Sequence, residues 1–421
     1  MGTSRGLARR ARLPLHAPEG GGTIPAPVTT PPLQIYDTRE RALVRVADLV
    51  LAPLGWGRRG RTSREPARIL LLRLERIGDL LMTIEAIADA RRVWPAAAID
   101  LAVGSWNVDL ARMIPGVSSI RIADVPWLSR GERPTSWRGV LAEARRWRHE
   151  RYDLVINFEP DIRTNLLAWL TGAPVRAGYT TGGGGAFLTV ADAYDPTSHT
   201  AVNARRLVAR MSGTEVPATA PASGTRIDVP DVERAAATSR WAAEARPWIG
   251  IHTSGGRESK QWHPDRFASV GRTLAAATGG TIVLTGGPSE QALVARVSAQ
   301  LVGVPHVTAV NAGSLRDAAG VLAALDVYIT GDTGPMHLAA AVGTPVVALF
   351  GPSNPVRYGP RAALERIVRI DLPCSPCGQV RLPPERCRGH VPDCLDGITV
   401  DTVVRHALDL LAERGQASAR I

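Results

Sequence analysis

From residue 68 onward, short apolar runs alternate along most of the chain with longer segments of helical periodicity. The runs have the length and composition of buried strands, and the segments between them repeat apolar residues three and four positions apart. Strands are predicted at 69–72, 99–103, 120–122, 154–156, 249–252, 281–284, 307–310, 327–329 and 346–349, and helices at 80–93, 140–147, 266–277, 290–301 and 400–411. Alternation of this kind predicts parallel, doubly wound sheets.

The alternation comes in two series, and a Pro-, Thr- and Ala-rich segment at 213–224 between them is typical of a linker. We therefore predict an α/β protein with two Rossmann-like doubly wound domains facing a central cleft, where ligands bind at the carboxyl ends of the strands. The expected parts are a disordered basic tail at 1–34, an amphipathic helix and linker at 35–66, domains at 67–224 and 225–398, and a final helix and tail at 399–421.

The N-terminal helix is predicted over 37–51, with Asp37 as its cap. Leu43, Ala47, Val50 and Leu54 follow a 4-3-4 spacing, with Val46 and Leu51 beside them, whereas Arg39, Arg41 and Arg45 lie mostly on the other side. Two interpretations stay open: a helix docked on the main fold, or an amphipathic helix resting on a membrane face.

Composition and charge narrow the class of protein. The 421 residues are 45% hydrophobic and 21% charged, as in ordinary globular proteins. The net charge is +11, of which residues 1–66 supply +6 from eleven arginines and five acids. The remaining positive charge is distributed over the other residues, and no nucleic-acid-binding motif accompanies it. The charge therefore favours acidic partners, anionic lipid included, over nucleic acid.

No apolar stretch approaches the roughly 18–20 residues of a membrane span, and the basic N-terminus lacks the apolar core of a secretory signal. A cytoplasmic protein is the resulting expectation. Peripheral contact with the inner face of the cytoplasmic membrane follows if the N-terminal helix rests on lipid.

Lys260 is the single lysine among fifty basic residues. Where only positive charge is needed this chain uses Arg, so a retained Lys indicates a position that requires a compact, rotatable ammonium. Lys260 follows Thr253 and Ser254 in a Gly-rich turn straight after a predicted strand, an arrangement that often holds phosphate. One leftover surface lysine is the alternative.

The segment 329–341 joins another apolar strand to a helix through Asp332, Thr333 and Gly334, with Pro335 in the first helical turn. Free amides at such a helix start form an anion site, and His337 in the same turn could face the same ligand. The alternative is that these residues only cap the helix.

Two further turns carry candidate acids. Gly286 permits close backbone approach, and Glu290 after it could accept both hydroxyls of a ribose or simply be a favourable first-turn acid. Asp79, at the Gly-Asp turn after the first strand, could deprotonate an attacking hydroxyl or be a helix cap. The sequence has no dinucleotide-binding GxGxxG at that turn and no Asp-x-Asp pair for a metal–diphosphate clamp.

Taken together, the stretches 73–79, 253–262, 285–290 and 331–352 resemble glycosyltransferase family 9, the ADP-heptose:lipopolysaccharide heptosyltransferases, over roughly residues 67–410. The resemblance implies a GT-B fold and an inverting transfer that needs no metal, with the acceptor bound by the N-terminal domain and the nucleotide sugar by the C-terminal one. It matches Asp79 to the general base, Thr253, Ser254 and Lys260 to the pyrophosphate loop, Glu290 to the ribose-binding acid, and Asp332, Thr333, Gly334 and His337 to the second phosphate and sugar loop.

Two departures from the family pattern stand out. Ile84 and Glu85 occupy positions where the family usually has Thr-Pro, and Arg257 and Glu258 lengthen the loop before Lys260. The first departure affects what the resemblance implies about the acceptor. The second affects which hydroxyls it implies are in contact with phosphate.

All four cysteines, Cys374, Cys377, Cys387 and Cys394, lie in one C-x2-C-x9-C-x6-C segment. Four thiolates suit a structural Zn²⁺ or iron, and some members of the resembled family carry such a cysteine finger. Reduced thiols in an irregular loop, or disulfides in an oxidising compartment, are the alternatives.

Several weaker features have mainly structural interpretations. We expect Gly182–Gly185 to form a mobile loop over the cleft, Asp161 and Arg163 to be surface charges, and His252 to be buried and hydrogen-bonded. Trp262 could stack on a ligand or pack in the core.

The sequence thus predicts an inverting glycosyltransferase that moves a sugar, most plausibly heptose from ADP-heptose, to a hydroxyl of a lipopolysaccharide core or other envelope glycan. Its expected partners are a nucleotide-sugar donor and a glycan or glycolipid acceptor, with no cofactor required for transfer. A sugar-nucleotide epimerase on the same fold and a non-catalytic nucleotide-sugar-binding scaffold are the rival hypotheses.

Overall fold

The computed structural model describes residues 33–35, 37–55, 65–128, 136–214, 227–310, 313–381 and 383–418. Two six-stranded sheets of parallel strands organise this part of the chain. The strands are β1 Arg68–Leu72, β2 Ala98–Val103, β3 Ser119–Ile122, β4 Leu154–Asn157, β5 Val175–Tyr179, β6 Val190–Asp192, β7 Trp248–His252, β8 Thr281–Gly286, β9 His306–Val310, β10 Val327–Gly331, β11 Val346–Leu349 and β12 Glu365–Val368.

Helices cover both faces of the sheets. They are α1 Thr38–Leu51, α2 Ile77–Leu81, α3 Ile84–Val93, α4 Val108–Ala111, α5 Trp137–His149, α6 Ile162–Leu170, α7 Thr200–Ser212, α8 Asp231–Arg240, α9 Pro264–Thr278, α10 Gln291–Ser298, α11 Leu315–Ala324, α12 Gly334–Val342, α13 Pro355–Tyr358, α14 Asp393–Asp396 and α15 Val400–Ser418. Short 3₁₀ turns include Glu258–Lys260 and Pro288–Glu290.

Both sheets have the same topology. The first runs β3-β2-β1-β4-β5-β6 and the second β12-β11-β10-β7-β8-β9, so each is wound outward from a central pair, β1/β4 and β7/β10. The crevice at the carboxyl ends of such a pair is where open α/β sheets bind ligands. The fold is therefore GT-B: two Rossmann-like doubly wound domains with a cleft between them, as the sequence predicts.

The central strands are buried on both faces, which explains why they are continuous apolar runs rather than alternating ones. Ile69, Leu70, Leu71 and Leu72 of β1 are fully buried, as are Ile249 and Ile251 of β7. Side chains of β1 divide between two clusters, one on each face of the first sheet. This burial fixes the position of the polar turns that follow each strand.

The predicted helix over 80–93 is wrong in one respect, because the structure has two helices there, α2 and α3. Thr83 lies at the break, and its hydroxyl donates a 2.9 Å hydrogen bond to the Asp79 carbonyl. A threonine side chain that bonds the backbone four residues earlier competes with the helical ladder. The break ends α2 after one and a half turns and leaves Asp79 inside a short, separately positioned helix.

The glycines 182–184 do not form a mobile loop over the cleft. All three are buried beneath α1 and α6, and an added Cβ at Gly182 would lie 1.8 Å from the Pro160 carbonyl oxygen. Their role is close backbone packing. The predicted linker at 213–224 and the predicted tail at 1–34 lie almost entirely outside the described residues.

Helix α1 begins as predicted, since the Asp37 carboxylate accepts hydrogen bonds from the Arg39 and Glu40 amides. In the described part of the chain, no helix combines the length and apolar character needed to cross a membrane.

Candidate functional site

The polar turns picked out by the sequence follow strands at the switch points of the sheets or, for Glu290, the strand next to one of them. Asp79 follows β1, the 253–260 loop follows β7, Glu290 follows β8, and Asp332 follows β10. Because the carboxyl ends of neighbouring parallel strands share one sheet edge, all four turns border the cleft.

Lys260 ends the 3₁₀ turn after β7, with a side chain that is only 17% exposed. Its ammonium donates to the Asp332 carbonyl oxygen and lies 3.1 Å from Asp332 Oδ2. The lone lysine is therefore not a surface residue. It joins the turns after β7 and β10, the two central strands of the second sheet.

The loop before Lys260 is folded by a side chain that the sequence did not single out. Gln261 Oε1 accepts from the Gly255 amide at 2.8 Å, and its Nε2 donates to the Thr253 carbonyl at 2.6 Å. Thr253 is fully buried, and its hydroxyl has no hydrogen-bond partner among the described residues. Ser254 accepts from the Gly256 amide at 3.0 Å. A buried hydroxyl without a hydrogen-bond partner, such as that of Thr253, is suited to a polar ligand.

The turn after β10 leads into α12 with Thr333 at the cap and Pro335 in the first turn. No side chain caps this helix; Pro335 has no amide hydrogen and the Met336 amide donates to the Thr333 carbonyl at 3.2 Å, so the Gly334 amide is the one left at the helix start. His337 is buried, and burial lowers its pKa by more than the nearby charges of Asp332 and Asp79 raise it, with a smaller further lowering from Lys260. At neutral pH the imidazole is uncharged and can donate one hydrogen bond beside the helix start.

Glu290 closes the third turn, where its Oε2 accepts from the Gly287 amide at 2.7 Å. An added Cβ at Gly286 would lie 2.8 Å from Val294, so only glycine fits the approach to this acid. Burial favours the neutral carboxyl, but buried His252 at 3.8 Å and hydrogen bonds from Ser254 and Gly287 together lower the pKa of Glu290. The acid is ionised at neutral pH. His252 is buried and contacts polar groups, as expected.

Asp79 performs the structural role considered for it and still faces the cleft. Its Oδ2 accepts from the Arg76 amide at 3.3 Å, which caps α2, while its Oδ1 lies 3.5 Å from Arg73 Nη2. The side chain is 28% exposed. Capping and proton transfer are therefore compatible at this residue, because one oxygen serves the helix and the carboxylate remains accessible.

A buried charge cluster around Asp79 was missed by the sequence reasoning. The Arg73 guanidinium is buried, donates to the Phe158 carbonyl at 2.7 Å and lies 3.0 Å from Glu75 Oε2. Glu159 is also buried and accepts from the amides of Leu74 and Glu75. Three acids, Glu75, Asp79 and Glu159, thus surround one arginine, and the charge of Asp161 reaches the two glutamates.

The electrostatics of this cluster are unusual for acids. Burial, then the neighbouring Asp79 charge, raise the pKa of Glu75 to about 7. Burial and Glu75 raise the pKa of Glu159 well above its usual range, and the surrounding acids raise the pKa of Arg73 in spite of its burial. A signal was available in the sequence: Glu159 follows buried strand β4 as directly as Asp332 follows β10.

His337 connects the two sides of the cleft. An added Cβ at Gly78 would lie 3.0 Å from His337 Cδ2 and 3.8 Å from the Gly334 Cα, so α2 packs directly against the start of α12. The His337 ring is close enough to Asp79, Asp332 and Lys260 for all three charges to affect its pKa. Asp79 and Lys260 therefore border one site rather than two unrelated surfaces.

Glu85, one of the departures from the family pattern, forms an ion pair between the domains. Arg361 contacts both oxygens of Glu85, the second at 3.0 Å, and Arg205 lies 3.6 Å from the same carboxylate. Beside this pair lies a small recess, lined by Leu81, Met82 and Ala340, that reaches His337. Where the family usually has Thr-Pro, this chain thus has a charged contact across the cleft.

The remaining weak features are structural. Trp262 is buried and packs edge-on against Phe267, with ring centroids 4.9 Å apart, so it belongs to the core. Asp161 caps α6 through the Arg163 amide and pairs with the Arg163 side chain.

The four cysteines are free thiols, and Cys394 is buried. Burial raises the pKa of Cys394 to about 11, with smaller contributions from Cys377, Cys387 and Cys374, so the four lie in one neighbourhood. Within the described residues, however, no three His, Cys, Asp or Glu side chains are arranged to hold a metal ion. A structural Zn²⁺ or iron stays a prediction, which metal analysis of the purified protein tests, and nothing in the site described above depends on it.

Comparison with known proteins agrees with this geometry. Residues 140–384, more than half of the chain, match the model of "Glycosyltransferase family 9 (heptosyltransferase)". The lipopolysaccharide core heptosyltransferase OpsX of Haemophilus influenzae is 23% identical over 73% of this chain and 86% of its own length. Lipopolysaccharide heptosyltransferase 2 of Salmonella typhimurium is 25% identical over 83% of this chain and 99% of its own.

Solved structures show the same fold. The family 9 glycosyltransferase from Veillonella parvula superposes with a TM-score of 0.69 at 26% identity, covering 82% of this chain and 97% of that one. The E. coli ADP-heptose lps heptosyltransferase II superposes with a TM-score of 0.67 at 20% identity, covering 83% and 99%. This chain belongs to glycosyltransferase family 9, the heptosyltransferases.

Proposed function

We propose that this protein transfers heptose from ADP-heptose to a hydroxyl of a lipopolysaccharide core or related envelope glycan, with inversion at the anomeric carbon. The similar proteins from H. influenzae and S. typhimurium are lipopolysaccharide heptosyltransferases, which supports the class of reaction, and the similar E. coli enzyme is an ADP-heptose heptosyltransferase, which supports the donor. In this proposal the loops 253–260, 286–290 and 332–337 form the donor side of the cleft, and the turn 73–79 with Glu159 forms the acceptor side.

On the donor side, Glu290 would accept hydrogen bonds from the ribose hydroxyls, because it is ionised and lies at a glycine turn. The diphosphate would lie against the Gly334 amide at the start of α12, the Thr253 and Ser254 hydroxyls and the Lys260 ammonium. Lys260 already lies 3.1 Å from Asp332 Oδ2 and can rotate from that partner to a phosphate oxygen. Preorganised cationic and amide donors of this kind stabilise the charge that develops on a leaving diphosphate.

On the acceptor side, Asp79 would take the proton of the attacking hydroxyl. The new bond forms between that oxygen and the anomeric carbon while the bond from the anomeric carbon to the phosphate oxygen breaks, and ADP leaves with the electron pair. A carboxylate is a weak base, with a reference pKa of about 3.9. It is adequate here if the hydroxyl loses its proton late, when the sugar already has oxocarbenium character. Attack from the face opposite the leaving group gives inversion.

One observation carries the proposal: His337 lies against Gly78 and within electrostatic reach of Asp79, Asp332 and Lys260. A base on one domain and a diphosphate-binding lysine on the other thus flank a common site. In this proposal the transfer takes place at the inner face of the cytoplasmic membrane, where a glycolipid acceptor would be presented.

The test is the variant pair Asp79→Asn and Asp79→Ala. Asparagine retains a side-chain oxygen for the Arg76 amide, so it separates loss of the base from loss of the helix cap. We expect both variants to lose about 10²–10⁴-fold in kcat while ADP affinity is retained. Asp109→Ala, which removes an acid from the exposed ion pair with Arg112, is the matched control and should be neutral.

Transfer by Asp79→Asn at the unaltered rate would exclude Asp79 as the base. Product analysis with ADP-heptose alone addresses the rival reaction, because an epimerase would convert the donor without any acceptor. Binding without turnover on any acceptor would leave only a scaffold role.

A further inference from the structure

Helix α1 lies before the matched family region and contacts the N-terminal domain by one side only. Val44 is buried against Gly183, the Asp48 carboxylate accepts from the Gly184 amide at 2.6 Å, and Glu40 lies 3.6 Å from Arg163. These contacts fix which way the helix faces. Both of its acids inside the helix are directed toward the protein.

The opposite side of α1 is apolar and exposed. Leu43, Val46, Leu49 and Val50 are 72%, 59%, 76% and 72% exposed, although they are four of the helix's largest apolar side chains. They recur at helical spacing on the side facing away from Val44. A docked helix that turns its apolar stripe outward indicates a surface that something else covers.

A second exposed apolar group lies at the start of α5. The Arg163 that pairs with Glu40 lies 5.2 Å over the Trp127 ring, and Trp127 in turn contacts Trp137 with ring centroids 5.0 Å apart. Trp137 is 50% exposed at the start of α5, and Leu141 one turn later is 39% exposed. One chain of contacts thus runs from Glu40 of α1 to the start of α5.

The charge around this surface is positive. Arg39 and Arg45 of α1 and Arg138 of α5 are exposed, whereas Glu40 and Asp48 are occupied by contacts with the protein. Residues 1–66 as a whole carry eleven arginines and five acids. An apolar stripe bordered by arginine matches an anionic lipid surface, with acyl chains for the apolar side chains and negative headgroups for the guanidinium groups.

We propose that the outward faces of α1 and the start of α5 dock on an anionic lipid surface, with α1 lying in the plane of the interface. The proposal deepens the proposed function, because Arg163 pairs with Asp161, whose charge reaches Glu75 on the acceptor side. The lipid face therefore borders the side of the cleft that would receive a glycolipid. Lipid binding itself does not require transfer.

The experiment is co-sedimentation of the full chain with vesicles of phosphatidylglycerol and phosphatidylcholine, and with phosphatidylcholine alone. We expect binding to the anionic vesicles that weakens as salt is raised, and little binding to the neutral ones. The double variant Leu43→Asp, Val50→Asp should bind the anionic vesicles at least about tenfold more weakly, because it places two charges on the apolar stripe.

The matched control is Val232→Asp, Val302→Asp, which makes the same change at two equally exposed valines elsewhere and should bind as the native chain does. Circular dichroism of both variants excludes unfolding. Equal binding by the α1 variant, or no binding by the native chain, overturns the proposal. The proposal is also overturned if the native chain forms a dimer and binds no vesicles, and the α1 substitutions dissociate that dimer. A second copy of the chain would then cover the apolar face.

Hydrolysis of ADP-heptose by the α1 variant separates this proposal from the proposed function. Retained hydrolysis with lost vesicle binding supports both. If the native chain binds vesicles but has no activity on any nucleotide sugar, the lipid-binding proposal is supported and the proposed transferase function is excluded.

Discussion

The two sides of the cleft, the proposed donor side and the proposed acceptor side, are built in different ways. The donor side consists of three strand-to-helix turns whose polar groups come from residues adjacent in sequence, and it contains one ammonium, that of Lys260. The acceptor side consists of a buried arginine with three acids around it, and its central contacts join residues about 85 positions apart. Backbone amides and a rotatable ammonium suit a diphosphate, whereas coupled carboxyl groups suit proton transfer.

The two sides also differ in what a substitution would disturb. Donor-side turns rely on glycines and backbone geometry, so a changed side chain there alters ligand contacts more than folding. In the acceptor-side cluster, removing one buried partner leaves another charge uncompensated, which costs both stability and function. Conservative, isosteric changes are therefore the informative ones on the acceptor side.

Lys260→Arg should give the largest effect on the donor side. Arginine keeps the charge but is longer and planar, so it cannot occupy the compact position beside Asp332 and still reach a phosphate oxygen. We expect kcat to fall about 10²–10³-fold, a loss typical of one preorganised donor. Steady-state transfer of heptose from ADP-heptose measures it.

The reverse exchange in the same loop, Arg257→Lys, is the control and should leave kcat within about threefold of the native value, because Arg257 lies in the inserted part of the loop and not at Asp332. If Lys260→Arg retained full turnover, charge alone would suffice and the retained lysine would need another explanation.

Glu290→Gln should have an intermediate effect confined to nucleotide binding. The amide keeps the shape and one acceptor oxygen but loses the charge that the lowered pKa indicates at neutral pH. Hydrogen bonds to charged groups contribute about 1.5–3 kcal/mol, so we expect the Kd for ADP to rise about tenfold, with kcat at saturating donor changed little. Isothermal titration with ADP measures the affinity.

Glu258→Gln makes the same change at an exposed acid two residues before Lys260 and should leave ADP affinity as it is. A Glu290→Gln variant whose ADP affinity is unaltered would mean that Glu290 serves only the turn, through its bond to the Gly287 amide.

These differences explain what the sequence could predict. The donor-side turns are local, so strand, glycine and helix-start patterns were enough to locate Lys260, Glu290 and His337. Asp79 was located with both of its candidate roles. Arg73 and Glu159 were missed because Glu159 comes from β4, far along the chain, and only the strand order puts it beside β1.

Contacts between the domains were equally inaccessible to the sequence. Glu85 and Arg361 are 276 positions apart, and their ion pair depends on how two separately folded sheets are placed. In the same way, the apolar spacing of α1 predicted an amphipathic helix, but only the Val44 and Asp48 contacts decide that the stripe faces outward.

Glu75→Gln should have the smallest effect, and one that depends on pH. In the native protein the pKa of Glu75 is raised from 4.5 to about 7, so the folded chain holds this proton more tightly than the unfolded chain. The resulting contribution to stability is fully present below pH 4.5 and is lost as pH rises through about 7. Glutamine removes this dependence, so the melting temperature of the variant, relative to the native protein, should rise with pH across that window.

Activity should also depend on the Glu75 proton, but in the opposite sense: loss of this proton lowers stability and favours transfer. Above pH 7, ionised Glu75 adds a negative charge beside Asp79, which favours transfer of the acceptor proton to the carboxylate cluster. We expect the native kcat to rise through about pH 7 and the Glu75→Gln profile to lack that rise, leaving the variant about threefold to tenfold slower at pH 8. A variant with an unchanged pH profile would make Glu75 a packing residue, and the acceptor side would then depend on Asp79 and Arg73 alone. If the kcat of the variant no longer rises through pH 7 while its affinity for ADP is unchanged, proton transfer depends on the acceptor side only. The two sides would then have separate tasks, nucleotide binding on the donor side and proton transfer on the acceptor side.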